Sequence, residues 1–316
     1  MQMVRVLRPR RSCLAVPGSN AKMLAKAQGL AVDEVFLDLE DSVAPSAKPQ
    51  ARSNIVTAIR EGDWQGKTLV VRINDAETPW AYEDLFTIVT EVGGLIDCIM
   101  LPKVEKLAHI LWLDTSLGQL EQSLGLPLGG IGIEVQIEGP AGLSIVDEIA
   151  GASERIETLV FGPGDFMASM QLPTLTIGQN SIGGYNPLDP VFMTLAIAAR
   201  KHGIQVIDGP YGVIGDLDGF ALAAQRAVAF GFDGKWVLHP SQVGLANSIF
   251  SPRQESYDRA ELILEAYDYH RSAEGGGRGA VMLGSEMIDE ASRKMAWVTA
   301  LKGRKAGLAR TSAFTP

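Results

Sequence analysis

The chain alternates short apolar runs with longer segments whose apolar positions recur every three or four residues. Eight runs read as buried strands: LAVP (14–17), VFLDL (35–39), TLVVRIN (68–74), CIMLPK (98–103), IGIEVQI (131–137), TLVFG (158–162), IQVID (204–208) and WVLH (236–239). Near-continuous Val, Ile and Leu is the pattern of parallel strands covered on both faces. The segments between them, 20–31, 46–61, 79–92, 104–123, 140–150, 187–202, 217–231 and 241–249, carry helical spacing. Eight βα units predict an α/β fold closed as a (β/α)8 TIM barrel rather than an open doubly wound sheet. No GxGxxG follows the first strand, which speaks against dinucleotide binding.

Residues 1–250 are expected to form this barrel, and 251–316 a C-terminal helical extension. The extension predicts a charged helix (253–273), a glycine run GGGRG (275–279), a hydrophobic VMLGSEMID (281–289), a final helix and a frayed end over 305–316. A glycine hinge before a hydrophobic segment suits a lid or a subunit-crossing arm, and equally a plain extension. The longest insertion, 167–190, follows the sixth strand and reads as a functional loop.

Composition narrows the function. A chain of 316 residues with 46% hydrophobic content can bury a large core, and the net charge of −9 argues against nucleic acid as partner. An anionic small ligand needs only a few local Lys or Arg residues. No apolar run of about 18 residues predicts a membrane span. The basic N-terminus lacks the apolar stretch of a secretory signal. Cys13 and Cys98 sit in apolar strands and read as core residues of a reducing compartment, so a cytoplasmic enzyme is expected.

Carboxylates gather where strands end. Glu138 and Asp165 lie one βα unit apart, each just past an apolar run, and can meet at one barrel mouth. Converging carboxylates repel unless a cation neutralises them, and a few hard oxygen ligands suit Mg²⁺, with Mn²⁺ able to substitute. The competing reading of Asp165, after Gly-Pro-Gly, is a helix cap. Asp38, Glu40 and Asp41 form a second cluster, with Asp38 and Glu40 on one face and Asp41 on the other. Their expected work is hydrogen bonding to a metal-bound water and to Arg72 or Lys103, with Arg52 as a structural partner. Glu134 is either support for Glu138 or a buried acid paired with a cation. Arg72, inside LVVRIN, is either a clamp on a substrate carboxylate or oxyanion, or an internal salt bridge. Lys103 could be a Schiff-base lysine, although the carboxylates around it would keep it protonated. His239 reads as structural, and His109, His202 and His270 as surface or packing residues. Asp289 reads locally as the N-cap before EASRKMA. Glycine-containing loops at 17–18, 183–184, 209–212 and 275–279 form no Walker motif.

In order, LAVPGSNAKMLAKA, FLDLEDSVAPSAKPQAR, VRIN, MLPKVE, VQIEGPAG, FGPGDF, IDGPYG and WVLHPSQ resemble the citrate lyase β-subunit-like (HpcH/HpaI aldolase-type) family of CoA lyases, over about residues 11–300. The wording of IDGPYG, GKWVLHPSQ and MIDEASRKMA is most similar to malyl-CoA/β-methylmalyl-CoA lyases. The resemblance implies Mg²⁺ on Glu138 and Asp165, Arg72 on the oxo-acid, Gly164 at the substrate, and Lys22 and Lys26 near the CoA phosphates. It also implies a homotrimer or hexamer in which Asp289 reaches a neighbouring subunit's site. The expected reaction is reversible carbon–carbon cleavage of malyl-CoA or β-methylmalyl-CoA. The alternatives are a citramalyl-CoA lyase, a malyl-CoA thioesterase, or a β subunit acting on a carrier-protein thioester. Two departures stand out: Gly139-Pro140 where the family often has Thr after the glutamate, and no Pro-Arg after the asparagine of VPGSNAK. The proline removes a backbone donor where the next helix starts.

Overall fold

Eight strands close into a parallel barrel in chain order, with the eighth pairing back to the first. The computed structural model describes residues 7–179 and 186–315. The strands are β1 (Ser12–Pro17), β2 (Glu34–Asp38), β3 (Thr68–Arg72), β4 (Cys98–Leu101), β5 (Gly132–Ile137), β6 (Ile156–Phe161), β7 (Gln205–Asp208) and β8 (Gly234–Val237). The helices between and after them are α1 (Ala21–Gln28), α2 (Lys48–Glu61), α3 (Ala81–Val92), α4 (Leu107–Leu124), α5 (Pro140–Ser144), α6 (Val146–Gly151), α7 (Pro163–Ser169), α8 (Asp189–His202), α9 (Leu217–Ala229) and α10 (Pro240–Ile249). The (β/α)8 architecture expected from the apolar pattern is present. Two details differ: the helix expected over 140–150 breaks at Ile145 into α5 and α6, and the insertion after β6 opens with a short helix, α7. The 183–184 loop lies outside the described residues.

Alternation along the strands sorts the barrel interior into three levels. Its floor is ionic: the buried Arg10 Nε donates to Glu34 (2.9 Å) and Glu134 (2.8 Å), while Nη2 donates to Glu157 (2.7 Å). Glu134 is therefore the buried, cation-paired acid, far along its strand from Glu138. The middle is apolar, built from Cys13, Phe36, Val70, Cys98, Met100, Val160, Ile207 and Trp236. Both thiols are pushed up by burial and belong to this packing. The carboxyl ends of the strands carry the remaining polar side chains, Asp38, Arg72, Gln136 and Glu138 among them. The opposite strand faces, with the helices, form the large outer core.

Residues 1–250 and 251–316 are separate compact units. The second holds α11 (Gln254–Arg271), β9 (Val281–Leu283), β10 (Glu286–Ile288) and α12 (Glu290–Lys305). Tyr257, Ala260 and Leu264 of α11 pack on Ala296 and Ala300 of α12. VMLGSEMID is an antiparallel hairpin, and Gly284 takes the φ of 67° that its two-residue turn demands. The tail after α12 is not frayed: Arg310 pairs with Glu265 and the Thr311 N–H donates to Asp258 at 2.9 Å. No described helix is long and apolar enough to cross a membrane.

Candidate active site at the carboxyl ends of the strands

Arg72 closes β3 in the register opposite Asp38 of β2. Its planar fork grips that carboxylate in the bidentate geometry arginine favours, with Nε to Oδ1 at 2.7 Å and Nη2 to Oδ2 at 2.9 Å. Burial opposes charge on Asp38, but Arg72 outweighs it and holds the carboxyl below its ordinary range. Below the guanidinium lie the rings of Trp236 (5.1 Å) and Phe36 (5.8 Å), which fix its height above the apolar layer. The internal salt bridge expected as one reading of Arg72 is thus real. It uses only part of the fork: Nη1 reaches Gln136 Oε1 at 3.3 Å and lies 3.0 Å from Glu40 Oε2. That last approach lacks hydrogen-bond alignment, so Glu40 Oε2 is a buried acceptor without a donor.

Glu138 follows β5 and is buried, with both oxygens held. The Lys103 backbone N–H donates to Oε1 and the Gln136 side-chain amide to Oε2, each at 2.7 Å. Gly162 makes room for it, since a Cβ there would fall 2.5 Å from the Glu138 Cβ and Oε2. Burial, then the charges of Glu40 and Asp165, push the Glu138 carboxyl up to about 8 despite Arg72. Asp165 is exposed in the first turn of α7, which starts at Gly162 without a side-chain cap, so the capping reading fails. Glu138, Asp165 and Lys103 line one polar cleft of about 200 Å³ that continues to Glu77 and His109. Gly164 sits beside Asp165, half-buried, its α-carbon facing Ile177.

The acidic cluster divides its partners. Lys103 Nζ pairs with Glu40 and with Asp41, the latter at 3.0 Å, while Asp38 takes Arg72 and Ser42. Burial works against the Lys103 ammonium, but those two carboxylates raise its pKa well above the ordinary value, which disfavours a Schiff-base role. Arg52 does not serve this cluster: its Nε donates to Asp84 at 2.6 Å, a partner on α3. The residue that supports the loop is Lys48, whose buried ammonium binds the carbonyls of Leu39 (2.8 Å) and Glu40 (3.0 Å). Five carboxylates, Asp38, Glu40, Asp41, Glu138 and Asp165, thus face three cations, Arg72, Lys103 and Lys48.

Gln136 and Lys48 were not among the expected site residues. A glutamine of the same strand parity as Glu138, two positions before it, is the signal for the first. Pro140 proves harmless, because it occupies the first turn of α5, where a helix leaves its N–H unbonded. Lys22 and Lys26 are exposed on α1, one turn apart; Lys26 borders a separate apolar cleft with Val16, Met23 and His239. His239 caps α10, its ring accepting from the Ser241 N–H at 3.2 Å. His109 is buried, the packing alternative of its two readings. Asp289 caps α12 in a capping box with Ser292, whose backbone N–H holds the carboxyl below its ordinary range.

The HpcH/HpaI aldolase/citrate lyase family model matches residues 11–240. Over 303 residues the chain is 39% identical to L-malyl-CoA/β-methylmalyl-CoA lyase of Cereibacter sphaeroides, covering 92% of this chain and 93% of that one. It is 31% identical to citrate lyase subunit beta of Escherichia coli, with 90% of each chain covered. The structure of protein CitE from Mycobacterium tuberculosis in complex with magnesium, acetoacetate and coenzyme A superposes with a TM-score of 0.72 at 27% identity, covering 95% of this chain and 99% of that one. The chain belongs to the HpcH/HpaI aldolase/citrate lyase family.

Proposed function

We propose that the protein is a Mg²⁺-dependent carbon–carbon lyase of the cytoplasm. It reversibly cleaves L-malyl-CoA or β-methylmalyl-CoA to acetyl-CoA or propionyl-CoA and glyoxylate. The observation that carries this is the Glu138–Asp165 pair beside Arg72, in a chain similar along nearly its whole length to a lyase of that name.

The donor set fits a hard divalent cation. The Glu138 carboxyl, raised to about 8 by burial and its acidic neighbours, and the orphaned Glu40 oxygen mark a place that wants positive charge. Among the described residues no group of three or more His, Cys, Asp or Glu is arranged to hold a metal. That suits Mg²⁺, which is commonly held by one or two carboxylates with water and substrate oxygens as the remaining ligands. Glu138 and Asp165 would hold it, and Asp38, Glu40 and Asp41 would steady its waters and Arg72. When bound, the ion supplies Lewis-acid polarisation of the oxo-acid oxygens.

The chain's own residues do the rest. Three of the five guanidinium N–H bonds of Arg72 serve Asp38 and Gln136, leaving two to stabilise the alkoxide that forms when the enolate carbon attacks glyoxylate. Asp289 takes the proton from the acetyl-CoA methyl in condensation and returns it in cleavage. In this chain it is a helix cap with a lowered pKa, and enclosure in a neighbouring barrel mouth would strip water from it and strengthen it as a base. This assigns the 251–316 unit to a neighbouring subunit's site, in a homotrimer or hexamer. Lys22 and Lys26, at i and i+4 beside the apolar cleft, suit the CoA phosphates, and Gly164 lets substrate approach the α7 backbone.

Glyoxylate released from malyl-CoA with Mg²⁺, absent with EDTA and in Asp165→Ala, is the expected result. Activity that survives both treatments defeats the proposal.

A further inference from the structure

Among the described residues, only Lys103 and Gln171 are non-glycines with positive φ, and Lys103 (φ 51°) stands at the site. An L-residue pays for that conformation and keeps it where the surroundings over-determine it. Here they do. Along an extended chain, successive N–H groups point to opposite sides; one left-handed residue brings two together. The Lys103 N–H reaches Glu138 Oε1 at 2.7 Å, and the next, Val104 N–H, reaches the Gln136 carbonyl at 3.2 Å. Both bonds stitch the end of β4 to the end of β5. Gly142 lets the loop lie flush, since a Cβ there would meet the Val104 carbonyl oxygen at 2.2 Å. The Lys103 side chain leaves the other way, to Glu40 and Asp41.

We infer that Lys103 is a positioning residue: its left-handed backbone, more than its ammonium, orients Glu138 toward the divalent cation. The inference rests on the metal-dependent reading above. With Lys103 N–H on one oxygen and the Gln136 amide on the other, the carboxylate cannot swing, and its remaining lone pairs stay aimed at the cleft.

Three substitutions separate backbone from charge. Lys103→Gly and Lys103→Asn remove the ammonium and accept positive φ, whereas Lys103→Val removes the ammonium and resists it. Mg²⁺ binding to the purified protein without substrate is read by calorimetry, with Mn²⁺ electron paramagnetic resonance as a second probe. Gly and Asn variants are expected within about threefold of the parent affinity, and Val weaker by about tenfold or more. If Val does not fold, Lys103→Ala serves in its place, with an affinity below those of Gly and Asn. Equal weakening of all variants would assign the effect to the ammonium and overturn the inference, as would parent-like affinity in Val. No metal binding by the parent protein would remove the metal-dependent reading itself, and the inference with it.

Discussion

Arg72 and Glu138 show how much a single side chain's surroundings decide. Arg72→Lys keeps the charge but loses the fork on Asp38, so kcat/KM should fall by about 10²–10³. The urea midpoint should also fall, by about 1–3 kcal/mol of stability, because buried Asp38 is left poorly paired. Unchanged kinetics would reduce Arg72 to a structural ion pair. For Glu138, burial and then Glu40 and Asp165 set the sign of a pH effect. The metal-free fold holds its proton more tightly than the unfolded chain, where glutamate titrates near 4.5. Stability should therefore fall as pH rises from about 4.5 to about 8, and added Mg²⁺, which favours the ionised form, should raise Tm more at pH 8 than at pH 6. Thermal melts with and without Mg²⁺ test this; a Mg²⁺ effect larger at pH 6 contradicts it. That acids gather here is legible in the sequence, because each one ends an otherwise apolar run. The partners are less so. Arg52 lies beside the acidic motif in sequence but turns to Asp84, 32 positions on, and nothing local announces such a choice. Nor does a lysine announce positive φ, since the loop that imposes it on Lys103 is closed by β5.

Among the elements, strands were the easiest to foresee, because burial on both faces writes an apolar run whatever the partner strand. Short elements escape that logic. The seven-residue α7 begins with Pro-Gly, which reads as a turn, and the β9–β10 hairpin spends only three residues per strand. Two elements carry their own tests. At the start of α12, Asp289→Asn keeps a good cap and removes the proposed base. Its thermal stability should stay within about 0.5 kcal/mol of the parent while kcat drops at least about 100-fold; retained kcat would leave Asp289 as a cap alone. At the end of β6, Gly162→Ala puts a methyl 2.5 Å from Glu138, so about 1–3 kcal/mol of stability and much of the Mg²⁺ affinity should be lost together. A variant destabilised but binding Mg²⁺ normally would show that this contact does not position the carboxylate.

At the scale of the whole molecule, the barrel keeps ionic chemistry at both ends and an apolar layer between, so the Arg10 network stays apart from the proposed reaction. The division into two units follows the end of α10, and the apolar pattern of the second unit tells its helices but not their destination. If Asp289 serves a neighbour, an inactive Asp165→Ala protein mixed with inactive Asp289→Asn should regain activity on reassembly. The recovery should reach at most about a quarter of the parent level, since half the sites have an intact barrel and half an intact arm. No recovery in verified mixed oligomers would place both residues in one chain's site. The most direct measurement of the central claim follows carbonyl product and free thiol together, with malyl-CoA and citramalyl-CoA as substrates, with Mg²⁺ and with EDTA. Glyoxylate released from malyl-CoA only with Mg²⁺, without free CoA, is the predicted result; free CoA without any carbonyl product, or turnover indifferent to EDTA, would contradict it.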